Sequence, residues 1–392
     1  MTYNTNWLIF LWDVFICSLS SYGGPEAHYG VFSSVLVNKK KYITEESLVE
    51  MIGLYSLVPG PGSTQTITAI GYHVGGPILA FLTFLVWALP AIIIMSVFGI
   101  LVSFSSNSEF IENILRYLPA VAISFIFYAA ISLTKKVIKL KFHFFIYLIM
   151  FVISYFLVPI SLWFVPILLV VSGLITYLKY KEETPTIEKV NIKTPWWILI
   201  CIVLIAIISE IMNPIINHSA LNIFTSFYRY GYSVIGGGQI VIPLMITDLV
   251  ESQSLITLND FLSGYAIDQA IPGPLFSFAA FVGSRSFVGS SFAFFYGILS
   301  AFSIFLPGIL LVYLIYPIWK KFRHIEFFKK FLIGVSITAA ALILSTGIRQ
   351  TIQLDMIWQN ILILLIGLLL LHSKRVPGYI VVIVAMILGF II

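Results

Sequence analysis

Apolar runs separated by short polar turns cover most of the chain. In the first half they span residues 7–22, 25–37, 45–58, 63–74, 77–103, 112–134, 142–159, 161–178 and 196–216. A second series spans residues 221–235, 238–250, 257–271, 275–287, 292–317, 327–348, 356–372 and 377–392. A helix over 25–37 would rise only about 20 Å, against a hydrocarbon core of about 30 Å. The pattern predicts an all-α polytopic membrane protein in which broken or re-entrant helices accompany full spans.

Two Pro-Gly-Pro sequences interrupt these runs, at Pro59-Gly60-Pro61 and Pro272-Gly273-Pro274. Proline removes a backbone donor and clashes with the preceding turn, whereas glycine allows backbone angles that other residues avoid. One helix should therefore end and another begin at each break. A second pair of breaks lies upstream, at Gly23-Gly24-Pro25 and Gly236-Gly237-Gly238. Broken helices at matched positions of two halves indicate the binding site of a transporter.

The breaks share one spacing along the chain, which we call the repeat offset. Gly23 pairs with Gly236, Thr44 with Thr257 and Pro59 with Pro272 at this same offset, and Pro90 pairs with Pro307 at a slightly longer one. Unrelated membrane helices share leucines by chance but rarely share two Gly/Pro breaks in register. The spacing predicts an internal duplication. The first transmembrane repeat would cover 1–178, a basic cytoplasmic linker with a connecting transmembrane helix 179–217, and the second repeat 218–392.

Loop charges indicate the orientation of the halves, because cytoplasmic loops collect Lys and Arg. Lys39-Lys40-Lys41 marks an inside loop, but its counterpart Ser252–Ser254 carries no basic residue. Conversely, loop 105–112 lacks Lys and Arg, whereas its counterpart 319–330 carries five such residues. Equivalent loops thus have opposite charge, which predicts two inverted-topology repeats. The N-terminus would lie inside and the C-terminus outside.

Composition supports the membrane interpretation. The chain is 59% hydrophobic and 10% charged, with mean hydropathy +1.02, whereas soluble proteins carry about 25% charged residues. The net charge of +5 is what basic cytoplasmic loops produce, so we expect the lipid bilayer as partner and no nucleic acid. Cys17 and Cys201 lie in apolar stretches, and we expect no disulfide, metal, cofactor or removable signal peptide. A homodimer is left open.

Hairpins inserted from opposite faces would bring their breaks together near the midplane. A helix that begins there points free N–H groups and a positive dipole end into the pocket, which suits an anion. The expected donors are Gly60, Gly62, Ser63, Thr64 and Gln65 in the first half, and Gly238, Gln239, Gly273 and Ser277 in the second. The alternative is that these residues only kink helices and satisfy their own backbone.

Ionisable residues inside the membrane are functional candidates by default. Arg285 would grip a tetrahedral oxyanion with its planar guanidinium, or else snorkel or pair with Asp268. Glu26 and His28 would take up a proton, unless Glu26 only favours a helix N-terminus. His73 is a weaker candidate. Two further charged residues, Asp13 and Arg229, lie near hairpin starts, where we expect the membrane interface.

The motifs resemble those of the chromate transporter family in its long two-domain form. The resemblance rests on Tyr22-Gly23-Gly24-Pro25-Glu26-Ala27-His28, Ile235-Gly236-Gly237-Gly238-Gln239, Ile242-Pro243, Gln65 and both Pro-Gly-Pro sequences, and covers nearly the whole chain. Tyr22 stands where family members commonly have Phe. The resemblance implies outward transport of chromate, with sulfate as a related dianion.

The breaks and the resemblance together mark one set of substrate-binding candidates and no catalytic or metal-binding residue. The set comprises Gly24, Pro25, Glu26, His28, Pro59, Gly60, Pro61, Gly62, Ser63, Thr64, Gln65, Gly237, Gly238, Gln239, Pro272, Gly273, Pro274, Ser277 and Arg285. We expect a secondary transporter, an antiporter or one driven by membrane potential, in a bacterial or archaeal plasma membrane. An anion channel or uniporter of the same architecture is the alternative. An intramembrane enzyme is less favoured, because no Walker A or His-Glu-x-x-His motif occurs.

Overall fold

The computed structural model describes residues 6–22, 25–55, 58–104, 113–160, 164–180, 195–234, 241–318, 326–354, 358–373 and 375–391. Within these ranges the regular structure is helical, without a β-strand. Its helices are α1 Trp7–Ser20, α2 Pro25–Phe32, α3 Glu45–Tyr55, α4 Gly62–Phe104, α5 Leu118–Val137, α6 Lys141–Leu157, α7 Phe164–Lys179, α8 Trp196–Ile216, α9 Ser219–Ser233, α10 Val241–Met245, α11 Leu258–Ala270, α12 Phe278–Ser286, α13 Ala293–Ile315, α14 Glu326–Gln353, α15 Trp358–Ser373 and α16 Gly378–Ile391. The π-helical segments Ser33–Lys39 and Ile246–Ser252 continue α2 and α10, and 3₁₀ turns flank α12 and α13.

Within the described ranges, five helical stretches are long and apolar enough to cross a membrane. They are Gly62–Val102, Asn113–Val137, Trp196–Ile216, Ala293–Ile318 and Ile333–Gln353. Shorter apolar helices accompany them, such as α1 with 14 residues. This mixture of long and short apolar helices confirms the all-α polytopic membrane class predicted from the hydrophobic pattern.

Most predicted helix boundaries agree closely with the structure. Segment 196–216 coincides with α8, and the predicted interruption between 74 and 77 falls inside α4. There Gly75 and Gly76 leave helical geometry, with φ of −149° and +79°, and Pro77 follows. Only glycine adopts the Gly76 geometry without strain, so the chain changes direction here and continues as a second helical arm.

The chain forms two compact units, each drawing on both halves of the sequence. Unit 1 comprises 1–103, 189–234 and 271–323, and unit 2 comprises 104–188, 235–270 and 324–392. In unit 1, α13 packs on α8, α9 and α12. The predicted division at 178 and 217 therefore does not coincide with the compact units, and as a division into repeats it stays a prediction.

Unit 2 is built around α14, which packs on α5, α6 and α7. The crossing of α14 with α7 is close because Gly334 has no side chain: a Cβ there would lie 2.0 Å from the Ser172 carbonyl oxygen. The Ser172 hydroxyl donates to the Gly334 carbonyl at 3.0 Å, and Thr176 donates to the Lys330 carbonyl at 2.9 Å. Small residues and interhelical hydrogen bonds are the usual means of helix association in lipid, where apolar burial gives no driving force.

Candidate functional site

The first Pro-Gly-Pro sequence forms a sharp break between α3 and α4. Gly60 has φ of +118°, a backbone conformation that favours glycine, and α4 begins two residues later. The Gly60 N–H donates to the carbonyl of Val234, at the end of α9, over 2.8 Å. The break is thus fixed to a helix of the other half of the sequence.

The second Pro-Gly-Pro sequence has the same arrangement, with the donor now in the second half of the sequence and the acceptor in the first. Gly273 has φ of +132°, and its N–H donates over 2.9 Å to the carbonyl of Ser21, at the end of α1. Gly60 and Gly273 are separated by the repeat offset, and so are their acceptors Ser21 and Val234. Each half therefore supplies the donor of one hydrogen bond and the acceptor of the other.

Both breaks also pack on a proline-containing helix of the other half. A Cβ on Gly60 would lie 3.0 Å from the Gly308 Cα, and a Cβ on Gly273 would lie 2.6 Å from the Ala91 Cβ. Ala91 and Gly308 directly follow Pro90 and Pro307, so they are counterparts in the two halves at the longer offset of that proline pair. The absence of a side chain at each glycine permits these close approaches.

Further local features recur at the repeat offset. The two π-helical segments begin at Ser33 and Ile246. The residues Lys41 and Ser254 have positive φ values of 55° and 52°, and the hydroxyls of Thr44 and Thr257 accept from Ser47 N and Asp260 N at 3.2 and 3.1 Å. Both hydroxyls thus cap the N-terminus of the helix that follows. The two halves therefore share these backbone features at the same spacing.

Polar side chains surround the first break. His28 is fully buried, and its Nδ1 lies 3.0 Å from the Ser63 hydroxyl oxygen. Trp87 donates from Nε1 to the Thr64 hydroxyl oxygen at 3.2 Å, and its ring meets that of His28 edge-on. The first turn of α4 is therefore bonded to α2 on one side and to its own second arm on the other.

Gln65 holds the loop of the first break. Its Nε2 donates to the Pro59 carbonyl at 2.8 Å and to the Gly308 carbonyl at 3.1 Å. Both amide hydrogens are thus used within the protein, so they are not free to donate to a ligand as the sequence suggested. The Gln65 Oε1, the His28 Nε2 and the Tyr55 hydroxyl are buried and have no hydrogen-bond partner among the described residues. Buried polar atoms normally have partners, so such a group of exceptions marks a candidate ligand site.

The second break is less polar. The counterparts of Ser63 and Gln65 at the repeat offset are Phe276 and Phe278, both buried, and Ser277 is buried between them. Buried Asp268 and Gln269 directly precede this break, however, and the Gln269 Nε2 also has no hydrogen-bond partner among the described residues. An anion held by the residues that follow the breaks would be bound asymmetrically, with the first break supplying most of the side-chain contacts.

Arg285 lies away from both breaks along its helix. It occupies the last turn of α12, 11 residues after Pro274, which corresponds to roughly 16 Å of helix. Its backbone nitrogen would lie 3.3 Å from a Cβ on Gly99, near the far end of α4. The structure therefore does not bring Arg285 next to the Pro-Gly-Pro residues.

The remaining candidates either make contacts within the protein or lie outside the described residues. Asp268 is buried in α11, which belongs to unit 2, and the exposed His73 hydrogen-bonds through Nδ1 to the Tyr316 hydroxyl at 2.8 Å. Gly24, Gly237, Gly238 and Gln239 lie outside the described residues. Pro25 and Glu26 begin α2, but their side chains also lie outside the description.

The sequence did not identify Asp13 as a buried polar centre. Its carboxylate is only 3% exposed and pairs with Lys40 Nζ at 3.0 Å, while the Tyr42 hydroxyl donates to it at 2.6 Å. The expected location at the membrane interface stays a prediction, and the structure adds that Asp13 is covered there by the turn that carries Lys40 and Tyr42. Burial, and then the hydrogen bond with Asp13, raise the pKa of Tyr42 above its usual range, so that this hydroxyl stays a donor. The position of an acidic residue midway along an apolar helix is the sequence feature that could have predicted this buried site.

Apolar helices that can span a bilayer, together with doubled glycine-containing helix breaks bonded to one another, are the architecture of a membrane transporter. Sequence comparison gives the same class. The chain belongs to the chromate transporter family, whose sequence model matches residues 8–207 and 221–390. That family consists of transporters rather than enzymes, so the intramembrane enzyme considered above is set aside.

The chain is similar to transport proteins from archaea and bacteria. It is 26% identical over 381 residues to an uncharacterized transporter of Methanocaldococcus jannaschii, covering 95% of this chain and 91% of the relative. It is 24% identical over 380 residues to a probable chromate transport protein of Synechococcus elongatus, covering 94% and 91%. The chromate transport protein of Cupriavidus metallidurans is 24% identical over 331 residues, covering 83% and 77%. No solved structure matches the chain.

Proposed function

We propose that this protein is a secondary transporter of oxyanions, with chromate as its principal substrate and sulfate as a related one. The substrate binds at the paired breaks of unit 1, mainly against the first break. The two halves are inverted repeats, and substrate passes between membrane faces as the protein alternates access to this site. Relatives named as chromate transport proteins support the choice of substrate.

One observation carries the location of the site: buried polar atoms without a protein partner gather at the first break. Of these atoms, the His28 Nε2 and the Tyr55 hydroxyl can donate to an anion, whereas the Gln65 Oε1 can only accept. The N–H groups of Gly62, Ser63 and Thr64 precede the first helical bond of α4, from Gln65 N to the Pro61 carbonyl. Such N–H groups and the positive end of the helix dipole favour an anion.

The reciprocal contacts support the inverted repeat. If each residue of the Gly60–Val234 hydrogen bond is replaced by its counterpart in the other half, the result is the Gly273–Ser21 hydrogen bond. A two-fold relation between the halves requires this correspondence. A two-fold axis in the membrane plane would place both breaks at the same depth, where transporters with inverted repeats bind substrate. The breaks then form one site rather than two.

Arg285 acts outside the binding site in this proposal. Its position at the end of α12, about 16 Å along the helix from Pro274, suits a residue that attracts a dianion on its way to the breaks. In the predicted topology this end of α12 faces the outside, and the His73–Tyr316 contact faces the cytoplasm. The two approaches to the site therefore differ in chemistry.

The test is chromate binding and flux in His28→Gln protein reconstituted in liposomes. A hydrogen bond to a charged ligand contributes about 1.5–3 kcal/mol, so binding should weaken roughly tenfold to a hundredfold. The matched control is His218→Gln, at an exposed histidine that caps α9. Chromate binding by His28→Gln that equals binding by the control would place the substrate elsewhere.

The anion channel remains the second candidate for the same architecture. Short helices that meet at breaks also suit a pore, and such a pore would use the same polar atoms. Counterflow separates the two candidates: a carrier exchanges labelled chromate against an internal unlabelled pool, whereas a channel only lets the gradient decay.

A further inference from the structure

A neutral triad of charged and polar groups lies inside unit 1, apart from the Pro-Gly-Pro breaks. Asp13, midway along α1, pairs with Lys40 and accepts the Tyr42 hydroxyl hydrogen, and the last two residues belong to the turn between the π-helical segment and α3. Burying a carboxylate is costly unless it is paired and hydrogen-bonded, as here. Its presence in an apolar helix therefore requires an explanation.

The corresponding turn of the second half lacks this triad. The counterparts of Asp13, Lys40 and Tyr42 at the repeat offset are uncharged: they are Ser226, Gln253 and Leu255.

The turn around these residues nevertheless has the same backbone hydrogen bonds. Lys40 N binds the Val35 carbonyl as Gln253 N binds that of Asp248, and Tyr42 N binds the Leu36 carbonyl as Leu255 N binds that of Leu249. The two turns thus share a backbone but differ in their buried carboxylate, which is Asp13 paired with Lys40 in the first turn and Asp248, accepting from the Gln253 side chain at 2.8 Å, in the second.

We propose that Asp13 binds the coupling proton of the transport cycle, with Lys40 and Tyr42 controlling its uptake and release. In the structure the triad carries a net charge of zero, from the carboxylate and the ammonium. Uptake of one proton neutralises the carboxylate, leaves the triad at +1 and ends the attraction that holds Lys40 to α1. Release of the proton restores the ion pair.

Among the side chains that the structure describes, three groups interact with the carboxylate. Lys40 and Tyr42 contact it, and Cys17 lies one turn along α1. The neighbouring α2 carries Glu26, His28 and Tyr29, of which His28 is engaged with Ser63. The arm of α4 that bonds to α1 carries no ionisable side chain between Pro77 and Val102. Lys40 is thus the cation closest to the proposed proton site.

α1 connects this site to both breaks. The Ser18 hydroxyl donates to the Trp87 carbonyl at 2.8 Å, and Trp87 bonds through its indole to Thr64 at the first break. The Ser21 carbonyl accepts the Gly273 N–H of the second break. Asp13 and Ser21 are eight residues apart, which corresponds to about 12 Å of helix. A movement of α1 that follows the loss of the Asp13–Lys40 ion pair would therefore displace the contacts of α1 with both breaks.

The inference rests on the proposed transport function, because a coupling proton implies a transported substrate. One measurement is therefore made without substrate: infrared difference spectroscopy of the full-length protein in nanodiscs during acidification. Acidification protonates all 17 Asp and Glu side chains, so the readout is one component of the protonated-carboxyl band. This component should be present in the parent, absent in Asp13→Asn and retained in Glu210→Gln, which breaks the partly exposed Arg229–Glu210 pair.

The second measurement uses chromate in liposomes. Asp13→Asn should retain chromate exchange within about twofold while losing accumulation driven by a pH gradient, and Glu210→Gln should behave as the parent. Asp13→Glu should recover part of the gradient-driven accumulation. If the infrared result holds but the parent moves no oxyanion, the proposed function fails and the proton site stands.

Two results would overturn the inference. One is a carboxyl band that is the same in the parent and in Asp13→Asn. The other is a transport result: either the pH-gradient response of Asp13→Asn matches that of the parent, or both Asp13→Asn and Asp13→Glu lose chromate exchange. Loss of exchange in both variants would indicate a structural ion pair.

Discussion

The sharpest structural prediction concerns Gly273, whose substitution by alanine has two separable costs. At φ of +132° a side chain strains the backbone, which costs of order 1–3 kcal/mol. In addition, the new Cβ would lie 2.6 Å from the Ala91 Cβ, well inside the roughly 3.5–4.0 Å at which carbon atoms pack, and overpacking costs about 1–3 kcal/mol. Gly273→Ala should therefore destabilise unit 1 by about 2–6 kcal/mol and impair transport.

A second substitution separates these costs. Ala91→Gly removes the atom that the new Cβ meets and gives position 91 the residue that its counterpart Gly308 already has. The double variant Gly273→Ala/Ala91→Gly should thus recover the overpacking cost and keep the backbone cost. Gly289→Ala is the control for backbone strain alone, since Gly289 has φ of +95° and nothing within 4 Å of the added Cβ.

The assay is thermal unfolding of detergent-solubilised protein, followed by tryptophan fluorescence, together with chromate flux for variants that insert normally. We expect the order of stability to be parent, then Gly289→Ala and the double variant, then Gly273→Ala. Equal stability of Gly273→Ala and the double variant would refute the packing of this break on Ala91.

Three further predictions follow from the site and the topology. Gln65→Leu should lower the unfolding temperature, because two buried carbonyls lose their donor at about 1–3 kcal/mol, and unchanged stability would remove Gln65 from the loop. Cysteines at Asn38 and Ile352 should react with an impermeant thiol reagent from the inside and the outside respectively, and labelling of both from one side would contradict the inverted repeat. Arg285→Ala should raise the half-saturating chromate concentration about tenfold and Arg285→Lys less, an effect that added salt should reduce; no difference from the parent would exclude Arg285 from the path.

Local chemistry explains what the sequence predicted well. Proline and glycine determine backbone geometry at their own positions, so the breaks at 59–61 and 272–274 and the turn at Gly76 follow from residue type. The lengths of the apolar runs, compared with the length of a helix that spans a bilayer, predicted the positions of the helices and the membrane class. The repeat offset extended to π-helical segments that no local pattern predicted.

Contacts between distant residues could not be predicted in the same way. The Gln65 amide was expected to face a ligand, yet Gly308, in the other half of the sequence, takes one of its hydrogens. Asp13 meets Lys40 only because the chain turns back after the π-helical segment. Helix propensity and hydropathy carry no information on such pairings, since they arise when helices pack.

The interleaving of the two compact units is a similar case. Each unit takes helices from both halves of the sequence, whereas the hydrophobic pattern suggested a division along the chain. A repeat that contributes to two units is consistent with the reciprocal bonds at the breaks, in which each half completes the other. The sequence predicted a repeat, but it gave no information on the contacts between the two halves.

The most direct test of oxyanion transport is flux of labelled chromate in liposomes that contain the purified protein, with and without an internal pool of unlabelled chromate. We predict saturable uptake that is accelerated by the internal pool and inhibited by sulfate. An uptake rate that does not saturate with chromate concentration and does not change with the internal pool would identify a channel. Uptake no greater than that of protein-free liposomes, for both chromate and sulfate, would contradict oxyanion transport altogether.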